Sequence, residues 1–363
     1  MESMKVVEAN PYFFPSMGGI ERRMHVTAKH LTRLGHDVTI LTSQLPGTPL
    51  EEESEDGYRI VRVPSKFYNV YNPPYVITKG VLDRLNEMKP DIVDYNYRWA
   101  PSFDGDVARY TGKKIFTYHN LWGEGRGIQG VISEANDRLY RKKLDTYDHI
   151  MPVTEYVRQD LIRHGIEPSR MTAIDNCLDE VPELCDEEGD FILSLGRLVD
   201  TKGLTYLIEA MRSTDCKLVL CGTGPEEKKL RKMISKYGLD SRVEIRGWVS
   251  EEEKARLMGT CRFFVMPSLY ESYGLAALEA LSYGKPIVCT DVDGLPGNVK
   301  DAGYYVKPKD YAGLADAINT LNSDEDLRED LSKKAIKVSR EVTWDQQILK
   351  VESLFKDVIN GDI

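Results

Sequence analysis

The sequence predicts an α/β protein built from two doubly wound domains. Three observations lead to that class: a chain of 363 residues, longer than one core usually organises; short β-rich runs alternating with amphipathic stretches; and an acidic, aperiodic break at residues 179–190. The first series opens with a strand over 4–9 and a Pro/Gly-rich loop over 10–19. Ile20, Met24, Ala28, Leu31 and Leu34 then fall near helical spacing, so a helix follows over 20–34, stopped by Gly35. Strands are expected over 36–42, 58–63, 92–95, 114–118 and 149–153. The second series begins with a strand over 191–196 and a helix over 204–211, and continues with strands over 217–222, 243–246, 263–266 and 286–290. The break carries Pro182 and Gly189 among Asp and Glu residues. It reads as a linker between an N-terminal domain over 1–178 and a C-terminal domain over 191–344, with a final segment over 345–363. Two such domains should face each other across a cleft.

Composition narrows the function classes. Hydrophobic residues make up 41% and charged residues 29%, an ordinary globular balance. The formal charge of −10 argues against broad binding to a phosphate backbone, so no nucleic-acid partner is expected. The run Tyr140-Arg141-Lys142-Lys143 reads first as a solvated helix face and otherwise as one end of a local basic patch. Six cysteines, from Cys177 onward, lack C-x-x-C spacing, and the histidines do not join them at ligand spacing. Buried free thiols and no metal site are the expectation. Residues 1–11 hold no long apolar run, and no stretch approaches the ~18–20 apolar residues that span a bilayer. A cytoplasmic protein is expected, with peripheral membrane contact still open.

Chemistry-bearing residues gather at the ends of the strands. Pro267-Ser268-Leu269-Tyr270-Glu271-Ser272-Tyr273-Gly274 joins a strand to a helix starting near Gly274. Such a junction offers unpaired amides and the positive end of a helix dipole to an anion, and Gly274 removes the Cβ that would obstruct a phosphate. Glu279, just over one turn into that helix, suits a vicinal diol; Glu271 is placed to face whatever the phosphates carry. On the residues alone the segment reads equally as a cap neighbour and an exposed helix carboxylate. Ser194-Leu195-Gly196-Arg197 through Lys202-Gly203 puts two cations beside a helix start, a site for a diphosphate or simply a basic loop. Cys221-Gly222-Thr223-Gly224-Pro225 fits a tight turn walling a base pocket better than a dinucleotide fingerprint, because Glu227 replaces the third glycine. In the first half, Gly18-Gly19 heads a helix and His119 follows a strand's C-terminal end, where open α/β sheets bind ligands. A lone histidine is more often structural.

Taken in order, these segments resemble family 4 of the retaining glycosyltransferases, built on the GT-B fold of two facing Rossmann-like domains. The likeness covers nearly the whole chain: Gly18-Gly19 with Glu21, Val153-Thr154-Glu155, Asp175-Asn176-Cys177-Leu178-Asp179, Gly196-Arg197 with Lys202-Gly203, Gly222-Thr223-Gly224-Pro225, and Gly247-Trp248-Val249. Glu271 and Glu279 have the family's E-x7-E spacing, the most specific of these signs. The resemblance implies that Arg197 and Lys202 hold the donor diphosphate, that Tyr273, Gly274 and Leu275 offer it backbone amides, and that Glu279 binds ribose hydroxyls. It implies that Glu271 contacts the donor sugar, His119 lies near the reacting centre, and Gly19, with Gly18, approaches the diphosphate from the N-terminal domain. The segment after Trp344 should form a helix returning to that domain.

The implied reaction moves a hexose from a UDP-sugar or GDP-mannose to a hydroxyl of a glycan or lipid-linked acceptor. No cofactor is implied beyond the nucleotide sugar, which is a co-substrate, and no metal, because the two cations and the helix amides fill that role. A GT-B sugar-nucleotide epimerase and a non-catalytic sugar-nucleotide-binding protein are the competing classes; an NAD-dependent oxidoreductase lacks its full G-x-G-x-x-G in either half. Three segments depart from the family pattern: His119-Asn120 in place of His-Asp, Asn176-Cys177-Leu178-Asp179 in place of Asn-Gly-Val-Asp, and Asp293-Gly294-Leu295-Pro296-Gly297 in place of Gly-Gly-x-Pro-Glu. The last removes a loop carboxylate that would contact the donor sugar. Tyr68, Tyr71, Tyr75 and Trp99 lie where acceptor loops are expected, and aromatic faces suit sugar rings or lipid headgroups as well as ordinary loop packing.

Overall fold

A computed structural model of the chain describes residues 3–16, 18–68, 74–123, 128–179, 181–185, 187–341 and 343–363. Its contacts divide the chain into two units, Met1–Asn176 with Trp344–Ile363, and Cys177–Thr343. Residues 179–190 group with the second unit instead of standing apart as a linker. Within that stretch the Gly189 amide donates to Thr260 O at 2.6 Å, and Glu188 pairs with Arg262 at 3.2 Å.

In the first unit the strands are β1 (Lys5–Ala9), β2 (Asp37–Ser43), β3 (Glu51–Glu53), β4 (Arg59–Val63), β5 (Ser65–Tyr68), β6 (Tyr75–Thr78), β7 (Ile92–Tyr95), β8 (Lys114–Tyr118) and β9 (His149–Pro152). Seven of them form one sheet in the order β3-β4-β2-β1-β7-β8-β9, parallel except for the edge strand β3. Val6 pairs with Val38 on one side and Ile92 on the other. Val6, Val7, Ile40, Leu41, Ile92 and Val93 are all buried, as a parallel sheet covered on both faces requires. The covering helices are α1 (Gly19–Arg33), α2 (Val81–Met88), α3 (Pro101–Arg109), α4 (Ile128–Leu144) and α5 (Glu155–Arg163). On α4, Tyr140 is buried while Arg141 and Lys142 are exposed.

The second unit holds β10 (Phe191–Leu195), β11 (Lys217–Cys221), β12 (Val243–Gly247), β13 (Phe264–Met266), β14 (Ile287–Thr290) and β15 (Gly303–Val306). They form an all-parallel sheet in the order β12-β11-β10-β13-β14-β15. Its helices are α6 (Leu204–Ala210), α7 (Glu227–Lys236), α8 (Glu251–Thr260), α9 (Leu275–Ser282), α10 (Leu295–Val299), α11 (Tyr311–Ser323) and α12 (Glu325–Ser339). Two apolar clusters, one around Ile192, Leu218, Leu220 and Val265, the other around Leu193, Val219, Phe264 and Ile287, take alternate residues of the same strands and so lie on opposite faces of the sheet. Five cysteines are buried here or at its edge, and burial pushes the thiols of Cys221 and Cys289 up to about 11 and about 12. Cys185 departs from the expectation of buried thiols: it lies in the exposed stretch before β10.

The order 3-2-1-4-5-6 of the parallel strands recurs in both units, the doubly wound arrangement with its reversal beside the first strand. That reversal falls between β1 and β7 in the first unit and between β10 and β13 in the second. The last helix, α13 (Trp344–Asn360), belongs to the first unit and packs on α1. Trp344, Ile348, Val351, Phe355 and Val358 form its buried stripe. Glu352 receives His36 Nε2 at 3.1 Å, and the Arg23 guanidinium lies 5.4 Å from the Trp344 ring centroid.

Candidate active site

Open doubly wound sheets bind ligands outside the carboxyl ends of their strands, at the reversal of strand order. In the second unit that place is the edge where β10 and β13 end. There the chain brings its backbone unusually close to itself. Gly203, at φ +64°, would place a Cβ 2.0 Å from Pro267 O; Gly222, at φ +134°, would place one 1.9 Å from Gly196 O. Gly224 would meet Leu198 O at 2.4 Å. The loops after β10, β11 and β13 are thus fused through glycines, and amides of Leu198 and Leu269 stitch them further, donating to Thr223 O at 2.9 Å and Thr201 O at 2.7 Å.

This platform carries the expected residues. Ser194, Gly196, Arg197, Lys202, Cys221, Pro267 and Ser268 line one recess. Arg197 is exposed, and Lys202, on the 3₁₀ turn Asp200–Lys202, is partly buried. Ser268 Oγ is buried and has no hydrogen-bond partner among the described residues. Lys202 Nζ donates to Glu271 Oε2, so the cation expected to hold phosphates and the carboxylate expected to face the sugar are in direct contact. Gly274, at φ +85°, is the N-cap of α9, whose first amides point out of the helix beside Tyr273. Further along α9, Glu279 accepts from Lys254 Nζ at 3.2 Å, and Lys254 also reaches Glu251 at 2.7 Å. Its carboxylate is therefore partly enclosed and held by a cation, not a free helix-surface group. Among the described residues no group of three or more His, Cys, Asp or Glu could hold a metal.

The loop that departs from the family pattern has a visible task. Asp293, at φ +47°, accepts the Glu271 amide on Oδ2 at 3.1 Å, and the Gly294 amide donates to Glu271 O at 3.0 Å. Asn298 Nδ2 donates to Tyr273 O. Short as it is, the loop grips the backbone of Glu271 and Tyr273 from both ends. Lys254 is not among the residues the sequence marks, and Ser268 and Asp293 stand there within their segments without a role of their own. Only Lys254 had a local signal: it follows Ser250-x-x-Glu253, a capping box that fixes its place on α8.

In the first unit Gly18 is the extended N-cap of α1, and a Cβ there would meet Glu21 Oε2 at 2.6 Å. Gly19 opens the helix. His119 sits immediately after β8, buried, and lines a recess with Ile20, Asn96, Trp99, Thr117 and Asn120. Burial first, then the guanidiniums of Arg23 and Arg98, holds its imidazole well below the usual histidine range, so it is neutral at physiological pH. The Arg98 guanidinium lies 4.6 Å from the Trp99 ring centroid and is paired with Asp137 at 2.6 Å. Of the aromatic acceptor-loop residues, Tyr68 and Tyr75 face each other in the β5–β6 ladder, while residues 69–73, Tyr71 among them, lie outside the described residues.

Comparison with known proteins agrees with this architecture. Residues 17–181 match the family described as Glycosyltransferase Family 4, and residues 179–338 match Glycosyl transferases group 1. An uncharacterized glycosyltransferase of Methanocaldococcus jannaschii is 31% identical, over 94% of this chain and 94% of its own. A phosphatidylinositol N-acetylglucosaminyltransferase subunit of Arabidopsis thaliana is 26% identical, over 82% of this chain and 70% of its own. The solved sucrose-phosphate synthase of Thermosynechococcus elongatus superposes with a TM-score of 0.84 at 19% identity, covering 98% of this chain and 99% of its own. Two Rossmann-like units on a chain that matches both glycosyltransferase families make it a glycosyltransferase of the GT-B type. The chain belongs to glycosyltransferase family 4.

The glycine contacts make a direct prediction. Gly203→Ala should lower Tm by several degrees and remove any stabilisation by UDP or GDP, because the added Cβ displaces the turn carrying Lys202. Gly238→Ala is the control: φ is +65° and nothing lies within 4 Å, so it carries the backbone strain alone. Thermal melts of both variants, with and without UDP or GDP, separate the two costs. Equal behaviour of the two would count against the platform.

Proposed function

We propose that this glycosyltransferase is a retaining hexosyltransferase, drawing on a UDP-sugar or GDP-mannose and needing no metal. The observation that carries the reading is the convergence of Arg197, Lys202 and the first amides of α9 at one sheet edge. Two cations and a helix N-terminus stabilise a departing diphosphate, the largest electrostatic demand of the reaction. Glu279, held by Lys254, accepts the ribose hydroxyls, and Glu271 accepts from the donor sugar. Gly18, Gly19 and His119 keep on this reading the roles that the family resemblance implies for them. With the leaving group stabilised on one face of the sugar, the acceptor hydroxyl attacks that same face, giving retention.

A glycan or lipid-linked acceptor is the second part of the reading, supported by the name of the Arabidopsis relative, which pairs N-acetylglucosamine with phosphatidylinositol. Among the described residues no helix is long and apolar enough to cross a membrane. On this reading the enzyme works in the cytoplasm, meeting its acceptor at the inner face of a membrane by peripheral contact. The test is release of nucleoside diphosphate from UDP-N-acetylglucosamine, UDP-glucose, UDP-galactose and GDP-mannose, with and without EDTA. Release from one donor, undiminished by EDTA, is the expected result. Loss with EDTA removes the metal-independent part. Release from none, with no stabilisation by UDP or GDP, removes the donor-site reading.

A further inference from the structure

Behind His119 lies a buried polar chain that the donor site does not use. Asn96, at the end of β7, accepts from His119: Nε2 is 2.8 Å from Asn96 Oδ1. The other end of the Asn96 amide is committed twice, Nδ2 donating to Glu8 Oε2 at 3.1 Å and to the backbone carbonyl of Asp94 at 3.2 Å. A carbonyl can only accept. Turning the amide over would set Asn96 Oδ1 against Asp94 O, so its orientation is decided whatever the protonation of Glu8. An oxygen must therefore face His119, and the ring nitrogen opposite it must carry the proton.

We infer that Asn96 is a positioning residue which locks His119 as the neutral tautomer protonated on Nε2, leaving the Nδ1 lone pair as the ring's only proton acceptor. The inference rests on the proposal that His119 stands near the reacting centre, and gives it a chemical state. A hydroxyl of the acceptor or of the donor sugar can donate to such a nitrogen, whereas an imidazolium could only donate.

Burial and two guanidiniums support the neutral form. Arg23 on α1 and Arg98 after β7 both disfavour a second positive charge. Of the two carboxyls beyond Asn96, burial, and then Asp94, pushes Glu8 on β1 well above the usual carboxylate range, while Asp94 on β7, raised by burial to about 6, stays largely ionised at neutral pH. Thr117 Oγ1 donates to Asp94 at 2.6 Å, and Asp137 is engaged by Arg98.

The test is long-range proton–nitrogen NMR of the full chain labelled with 15N-histidine, read from pH 5.5 to 8. His119 should show one protonated and one unprotonated nitrogen, with Nε2 the protonated one and no titration in that interval. Asn96→Leu, similar in volume and unable to accept, should abolish the preference for the Nε2–H form. It should lower kcat for donor turnover on the order of 10²-fold, the lower end of what one positioned acid or base contributes, with KM for the donor changed far less. A wild-type His119 protonated on Nδ1, or charged at neutral pH, overturns the inference. So does an Asn96→Leu protein that keeps both tautomer and rate. The NMR reading needs no turnover, so failure of the glycosyltransfer reading in the donor screen is distinguishable from failure of the lock.

Discussion

Lys202→Ala should lower donor turnover by about 10²- to 10³-fold, the cost of removing one preorganised donor aimed at developing charge. Three features make Lys202 preorganised. The left-handed Gly203 ends its 3₁₀ turn, the Lys202 amide bonds Val199 O at 3.1 Å, and Gly203 abuts Pro267 so closely that the turn has no room to shift. Its side chain is about three-quarters buried, where a charge acts through less water than at an open surface. Binding of UDP or GDP alone should weaken less, by about tenfold, because the charge on the leaving diphosphate grows only as the sugar bond breaks. Lys229→Ala makes the control: Lys229 is exposed, among the described residues pairs only with Glu226, the N-cap of its helix, at 2.6 Å, and should leave both quantities unchanged. Rates of nucleoside diphosphate release beside calorimetric titration would check it. Equal losses in rate and in affinity would mean that Lys202 binds the ground state alone.

The fold is legible in the sequence where one local rule decides it. Phe191-Ile192-Leu193 and Leu218-Val219-Leu220 are unbroken apolar runs because both faces of a parallel strand are covered, and their bounds fall within a residue or two of the structure. Glu51-Glu52-Glu53 carries no such pattern. It is a strand only because it pairs antiparallel with β4, a fact of topology and not of propensity. The site divides the same way. Arg197, Lys202, Glu271 and Glu279 stand out as charges at strand ends and helix starts, and Gly203 and Gly274 as turn glycines. Lys254 meets Glu279 across 25 residues, Asp293 meets Glu271 across 22, and Asn96 meets Glu8 across 88, so no spacing rule could pair them. Glu8 had a signal that passes easily unnoticed: a carboxylate inside Val6-Val7-Glu8-Ala9 must be protonated or bonded if that run is a buried strand.

Glu271→Gln should act with opposite signs on binding and on turnover. The Glu271 carboxylate holds Lys202 Nζ; on the proposed function a donor diphosphate needs the same ammonium, so carboxylate and phosphate compete for one cation. Glutamine keeps the shape and an acceptor oxygen but gives up the charge. Both partners are largely but not wholly buried, so the charge term removed is about 1 kcal/mol, equivalent to about fivefold tighter UDP or GDP binding. Turnover should fall on the order of tenfold or more, because the carboxylate released by the incoming phosphate is the group expected to accept from the donor sugar as charge develops there. Asp293 and Gly294 hold the Glu271 backbone independently of its side chain, so the substitution should leave the loop where it is. Isothermal titration with each diphosphate, beside donor turnover, reads the two signs separately. If the variant binds diphosphate more weakly, Glu271 serves to aim Lys202, and the competition is wrong. If binding tightens while turnover falls, the ion pair is a place-holder: the donor's phosphates take over Lys202 and thereby free the carboxylate for the sugar.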